Sequence, residues 1–310
     1  MPYSHHSHSG QFCPGHAQDS LEDVIQTAVQ KKFKVFALTE HMPRHEMNRY
    51  QEEIHAGVTL ESMVQNQANY VKEAQRLRHK YQDQISLPIG FESDWCGPHS
   101  LELIQASIQA HPFDFFIGSI HHVQGIPIDY DRDNYNHAKE IAGGTDEKLY
   151  EQYFDEQFEM LAVLRPPVVG HFDLIRLMSD DFNVNWQQMT GVWSRILRNL
   201  DFVASYGGIL EINTAALRKG MDEPYPKSEI CQEFQQRQGR FCLSDDSHGI
   251  AHVATNYEKV LPFLKQNNIT SLSYLSYASP TDNTKDPRFS TLSVSSVSVT
   301  DIKDHQTLKS

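Results

Sequence analysis

Cysteine is scarce in this chain of 310 residues: Cys13, Cys96, Cys231 and Cys242 are the whole supply, and no two stand in a CxxC pair. A thiolate zinc site and a disulfide framework are therefore not indicated, and the four read as reduced, buried thiols. Positive charge is short as well. Against 40 acidic residues stand 27 basic ones, a formal net charge of −13, with no basic stripe. That balance argues against attraction to nucleic-acid backbones or anionic membranes, so any phosphate ligand must be held by local positive charge. No apolar run approaches the roughly 20 residues of a membrane span, and the first residues lack the basic and apolar stretches of a signal peptide. The expectation is a cytoplasmic protein that engages neither membrane nor nucleic acid.

What the chain has in excess is histidine, 17 in all. Four of them, His5, His6, His8 and His16, lie in "SHHSHSGQFCPGHAQ", residues 4–18. By itself such a run could be a tag remnant or a solvated terminus. Its meaning depends on what the rest of the chain brings near it.

Short apolar runs of strand type recur at long intervals: "KVFAL" (34–38), "ISLPIGF" (85–91), "FDFFIGSI" (113–120), "PPVVG" (166–170), "GGILEIN" (207–213) and "RFCLS" (240–244), with "MPYSH" as a further candidate. Near-continuous hydrophobicity marks strands buried on both faces, as in parallel sheets. Between them lie helical spacings such as Leu21, Val24, Ile25 and Ala28, or Leu149, Tyr153, Phe154 and Leu161. This βαβα order predicts an α/β fold, and about seven strands over residues 1–270 favour a barrel somewhat short of the usual eight units. One domain over 1–278 is expected, followed by a Ser/Thr-rich extension over 279–310 with little core-forming pattern, in part disordered.

Five of these six apolar runs stop at imidazoles and carboxylates. Glu40 and His41 follow the first of them, Glu92 the second, His121 and His122 the third, His171 and Asp173 the fourth, and Asp245, Asp246 and His248 the last. One such residue at a strand end is unremarkable. Five ends in succession are not, because parallel strands of one barrel open on the same face. Nitrogen and oxygen donors without sulfur suit zinc, manganese or iron. So many candidates, joined by the histidines of the opening stretch, are too many for one ion, and a multinuclear centre with a bridging carboxylate is expected.

The blocks "HSHS", "LTEH", "GFESDW", "GSIHH", "GHFDLIR" and "SDDSHG", in this order from residue 4 to about 250, resemble the signature blocks of the polymerase and histidinol phosphatase (PHP) superfamily. "FCPGHA", "TEHMPR", "GHFDLIR" and "INTAALRKG" resemble its histidinol-phosphate phosphatase branch in particular. The resemblance implies a distorted (β/α)7 barrel, TIM-like, with three divalent ions at the C-terminal ends of the strands. It assigns His6, His8, Glu92 and Asp246 to the first ion, Glu92, His121 and His171 to the second, and His16, His41 and His248 to the third. His16 is the departure to watch, since its spacing from the HxH pair differs among members.

The activity so implied is hydrolysis of the phosphomonoester L-histidinol phosphate, in-line, by water activated between ions; the alternative is another small phosphomonoester or a nucleotide. Glu40 and Asp173 are candidates for orienting imidazoles or moving a proton. Arg176, Arg218 and Lys219 are candidates for gripping phosphate, the arginines through paired guanidinium donors. The long polar connection 123–145 reads as a lid whose Asp129 and Asp131 would suit a substrate amine, although a solvated acidic loop accounts for them too. The oligomeric state is not legible.

Overall fold

The structure, a computed structural model, describes residues 2–277 and 291–305. Seven short strands carry the site: β1 (Tyr3–Ser4), β2 (Val35–Phe36), β3 (Glu92–Asp94), β4 (Ile117–Ser119), β5 (Val168–Val169), β6 (Ile209–Asn213) and β7 (Arg240–Ser244). β7, β6, β5, β4 and β3 form one parallel sheet in that order, in register from Arg240 opposite Ile209 to Glu92 opposite Ile117. β1 pairs with β2 in parallel. The 85–92 segment continues from β2 by parallel bridging, with Phe36 N–H donating to Ser86 O at 3.0 Å and Glu92 N–H to Glu40 O at 3.0 Å. On the other side His5 N–H donates to Leu243 O at 3.1 Å, and Ser7–His8 pairs in parallel with Ser247–His248. The fold is α/β, as expected from the alternation.

Helices cover the outside for the reason the spacing predicts. In α1 (Leu21–Gln30) the buried residues are Leu21, Val24, Ile25 and Ala28, one face of a 3.6-residue period. Ser20 caps it by accepting Asp23 N–H at 3.2 Å. Next come α2 (Gln51–His55), α3 (Leu60–Tyr81) and α4 (Ser100–Ala110). The 123–145 segment is not the loop expected. It holds a small hairpin, His122–Val123 against Ile126–Pro127, then α5 (Arg132–Ile141), capped by Asp131 accepting Asn134 N–H at 2.7 Å. Only Tyr135 and Ala138 of α5 are buried, in a helix that is otherwise polar. α6 (Asp146–Leu164) buries Leu149, Tyr153, Phe154 and Leu161. No helix among the described residues is long and apolar enough to cross a membrane.

At the ends of the strands away from the site, β8 (Ser271–Tyr277) and β9 (Leu292–Ser298) pair antiparallel. Leu275 and Leu292 are fully buried with Ala37, Ile117, Val168, Ile209 and Cys242, each early in its strand or just past it. His5 ties this hairpin down: its Nδ1 lies 3.0 Å from Leu243 O, and its Nε2 accepts Leu275 N–H at 3.1 Å. That pair of bonds fixes a neutral tautomer, and burial pulls the His5 pKa down to about 4. Of the tail, residues 279–290 and 306–310 lie outside the described residues; β9 is followed by the short helix Val299–Ile302, whose Ile302 is buried.

Candidate metal centre

Because the strands run parallel, the residues that follow their apolar bodies collect at one end. His6 and His8 are two apart and so share a face. Glu92 opens β3 and becomes the hub. Its carboxylate oxygens lie 2.8 Å from His171 Nε2, 3.0 Å from His41 Nδ1, 3.3 Å from His6 Nε2, 3.3 Å from His121 Nε2 and 3.5 Å from His8 Nε2. Asp246 is the second hub, with Oδ1 3.5 Å from His8 Nε2, 3.5 Å from His248 Nδ1 and 3.7 Å from His6 Nε2. Its backbone sits in the left-handed region, φ 47°, a conformation Asp tolerates better than most residues and one that gathers at functional sites.

Around these hubs three sets of donor atoms close to within 4.8 Å of one another, His6, Glu92 and His171; His6, His8 and Asp246; His8, His41 and His248; a fourth, Asp94, Cys96 and His122, lies outside them. Several of these atoms are buried without a hydrogen-bond partner, among them His6 Nε2, both His8 nitrogens, His41 Nδ1 and Asp246 Oδ1. Polar atoms left so in a protein interior are costly. A divalent cation satisfies lone pairs of this kind, and the donor set is right for zinc, manganese or iron. The electrostatics agree. Burial disfavours the His6 imidazolium, yet Asp246, Glu92 and Glu211 together raise its pKa well above the usual value. Burial likewise works against the charged form of Glu92, and the surrounding imidazoles overcome it, His6 and His121 foremost. The buried carboxylates thus demand positive charge, from protons or from metal ions.

His16 is not in the third set. Its Nε2 lies 2.9 Å from Glu52 Oε1, and its ring centroid is 6.4 Å from that of His41. Glu40 accepts from Ser9 N–H at 2.9 Å and Ser9 Oγ–H at 2.6 Å, and burial pushes its pKa up to about 8. His8 Nδ1 is 3.9 Å from its other oxygen. Asp173 accepts from Arg176 Nε at 3.0 Å and from Lys227 N–H at 3.1 Å. Burial raises its pKa against the pull of Arg176. Asp245 turns away, accepting Ala254 N–H at 2.7 Å.

Above these groups is a cavity of about 620 Å³. Arg218 and Lys219 line it, and Arg218 is braced there by donating to Asp245 O at 3.1 Å and Asp246 O at 3.0 Å. Arg176 does not reach it. That side chain is fully buried, spending its donors on Asp173, Phe182 O, Glu223 O and Pro224 O.

Two carboxylates escaped the sequence reading. Glu211, fully buried in β6, lies 3.1 Å from His6 Nδ1, accepts His171 N–H at 2.8 Å and accepts from Asn213 Nδ2 at 2.8 Å. Its signal was present: a charged residue inside the apolar run "GGILEIN" has no reason to be there without buried partners. Asp94, two residues past Glu92, faces His121 Nδ1 at 3.3 Å and His122 Nδ1 at 3.2 Å. A carboxylate on the far nitrogen fixes the tautomer and aims the near one. Glu211→Gln should therefore cost metal affinity or activity by about 10–100-fold, read by titrating metal into stripped protein; unaltered affinity and rate would rule out this role.

A family model, PHP domain, matches residues 4–215. The chain belongs to the PHP domain family. Within it, a Schizosaccharomyces pombe protein named "Probable histidinol-phosphatase" is 42% identical over 88% of this chain and 89% of its own length. A Saccharomyces cerevisiae histidinol-phosphatase is 34% identical over 89% of this chain and 91% of its own. Among solved structures, the PHP fold here is similar to histidinol phosphate phosphatase from Lactococcus lactis, complexed with zinc, L-histidinol and phosphate. The TM-score is 0.68 and the identity 20%, over 88% of this chain and 95% of that one.

Proposed function

We propose that this chain is a metal-dependent phosphomonoesterase that hydrolyses L-histidinol phosphate to L-histidinol and phosphate, a step of histidine biosynthesis in the cytoplasm. The observation that carries it is the hub at Glu92, which gathers five imidazoles under a cavity lined by Arg218 and Lys219, in a chain 42% identical to a relative of that name. Three divalent ions, zinc, manganese or iron, are accommodated by this reading. His6, His8, Glu92 and Asp246 hold the first, Glu92, His121 and His171 the second, and His41 and His248, with His16 or His8, the third. Such ions supply Lewis-acid charge to phosphoryl oxygens and activate water.

The chain's own residues do the rest. Arg218, braced on two carbonyls, and Lys219 receive the phosphate oxygens. Glu211 and Asp94 hold His6 and His121 in the tautomers that leave Nε2 facing Glu92. Glu40 acts through Ser9 beside His8, and Asp173 through Arg176 and the Lys227 amide, as positioning carboxylates. We read the ring of strands, joined at His5 and Leu243, as a distorted (β/α)7 barrel, with 1–278 as the catalytic unit and 279–310 as its extension.

The test is phosphate release from L-histidinol phosphate, a nucleoside monophosphate and an aryl phosphate, before chelation, after it, and after adding back each metal. A preference of at least about tenfold for L-histidinol phosphate (about 1.4 kcal/mol), lost on chelation and restored by metal, is expected. Equal turnover of all three, or activity untouched by stripping, would overturn the reading.

A further inference from the structure

Beyond the carboxylates that gather imidazoles and cations, Glu92 and Asp246, a cavity that accepts a phosphate dianion gains nothing from acidic groups in its wall, since a like charge nearby weakens anion binding. Yet Glu52 and Asp129 line the same cavity as Arg218 and Lys219. Both are half-buried, and Glu52 Oε2 and Asp129 Oδ1 are each shut off from solvent without a hydrogen-bond partner. Glu52 comes from α2, beyond β2, and Asp129 from the segment beyond β4. Arg218 and Lys219 follow β6, so the two signs reach the cavity from different strand ends. Tyr50 and Tyr130, with ring centroids 5.5 Å apart, complete the acidic side as an aromatic wall.

We infer that Glu52 and Asp129 are specificity residues that receive the cationic part of the substrate, so that the cavity selects phosphomonoesters carrying an ammonium or imidazolium and rejects those without one. This rests on the function proposed above. A bipolar molecule with phosphate at one end and protonated nitrogen at the other matches the wall on both sides. A phosphomonoester lacking that nitrogen leaves Glu52 Oε2 and Asp129 Oδ1 unanswered, with both carboxylates repelling its phosphate. Attraction and repulsion therefore act in the same direction, which is how discrimination exceeds the strength of either contact alone.

The test uses full-length, metal-loaded wild type, Glu52→Gln, Asp129→Asn and the double variant, with metal content and melting temperature measured on each. Asp129→Asn serves as the arm that leaves the His16 pairing of Glu52 intact. For the double variant, the ratio of kcat/KM for L-histidinol phosphate to that for an aryl phosphate should fall at least tenfold, through KM for the former. Inhibition by L-histidinol should weaken by a similar factor relative to inhibition by inorganic phosphate. An unchanged ratio, or parallel losses on both substrates and both inhibitors, would overturn the inference. Failure of the wild type to hydrolyse L-histidinol phosphate at all would instead sink the function it rests on.

Discussion

Glu92→Gln should strip the centre of most of its metal and lower kcat/KM by about a thousandfold or more, well beyond the 10–100-fold typical of a partner one bond further from an ion. The substitution preserves shape and removes charge. Five imidazole nitrogens approach this carboxylate within 3.5 Å, from four separate segments of the chain. An amide in its place presents an N–H₂ group to atoms that need an acceptor or a cation, and it brings no negative charge to hold a cation. Elemental analysis beside a phosphate-release assay checks this. Full occupancy with ordinary turnover in the variant would remove Glu92 from the centre of the site.

Arg176→Ala should act on stability, by about 3–5 kcal/mol, because removing one partner of a buried pair strands the other charge. Arg176 and Asp173 are both fully buried, and the guanidinium also sits over the Tyr225 ring at 5.0 Å. Denaturant unfolding of the metal-loaded protein reads the loss directly. Arg176→Lys keeps the charge without the planar set of donors, and it should recover part of the stability while leaving KM for the phosphomonoester near that of wild type. A stable Arg176→Ala protein with a strongly raised KM would return this residue to the phosphate-gripping role its place in "GHFDLIR" suggested.

The contrast between Arg176 and Arg218 shows where sequence reading stops. Both stand in blocks that resemble the family's, and both carry the same chemistry. Which of them meets the cavity depends on loops at Phe182, Glu223 and Pro224, whose carbonyls happen to close around one guanidinium and leave the other braced at the rim. Nothing in local pattern encodes that. Glu211 was missed for a related reason: the apolar run around it was read as core, and the charge inside it was passed over. The 123–145 segment was read as a loop because its helix is short and strongly polar and buries only two side chains. His16 was placed with His41 by resemblance to a family, whereas its nearest carboxylate, Glu52, lies on a short helix that spacing does not announce.

What the amino-acid order determined unaided is the alternation of buried strands with amphipathic helices and the abrupt change, at five strand ends, from hydrocarbon to imidazole and carboxylate. Both are local properties, set by side-chain period and solubility. What only the folded chain decided is which of those polar ends meet one another, at what distances, and which charges are answered by protein instead of by ligand. Those are properties of convergence. Residues as far apart as His6 and Asp246 come within 3.7 Å only once the parallel strands have assembled side by side.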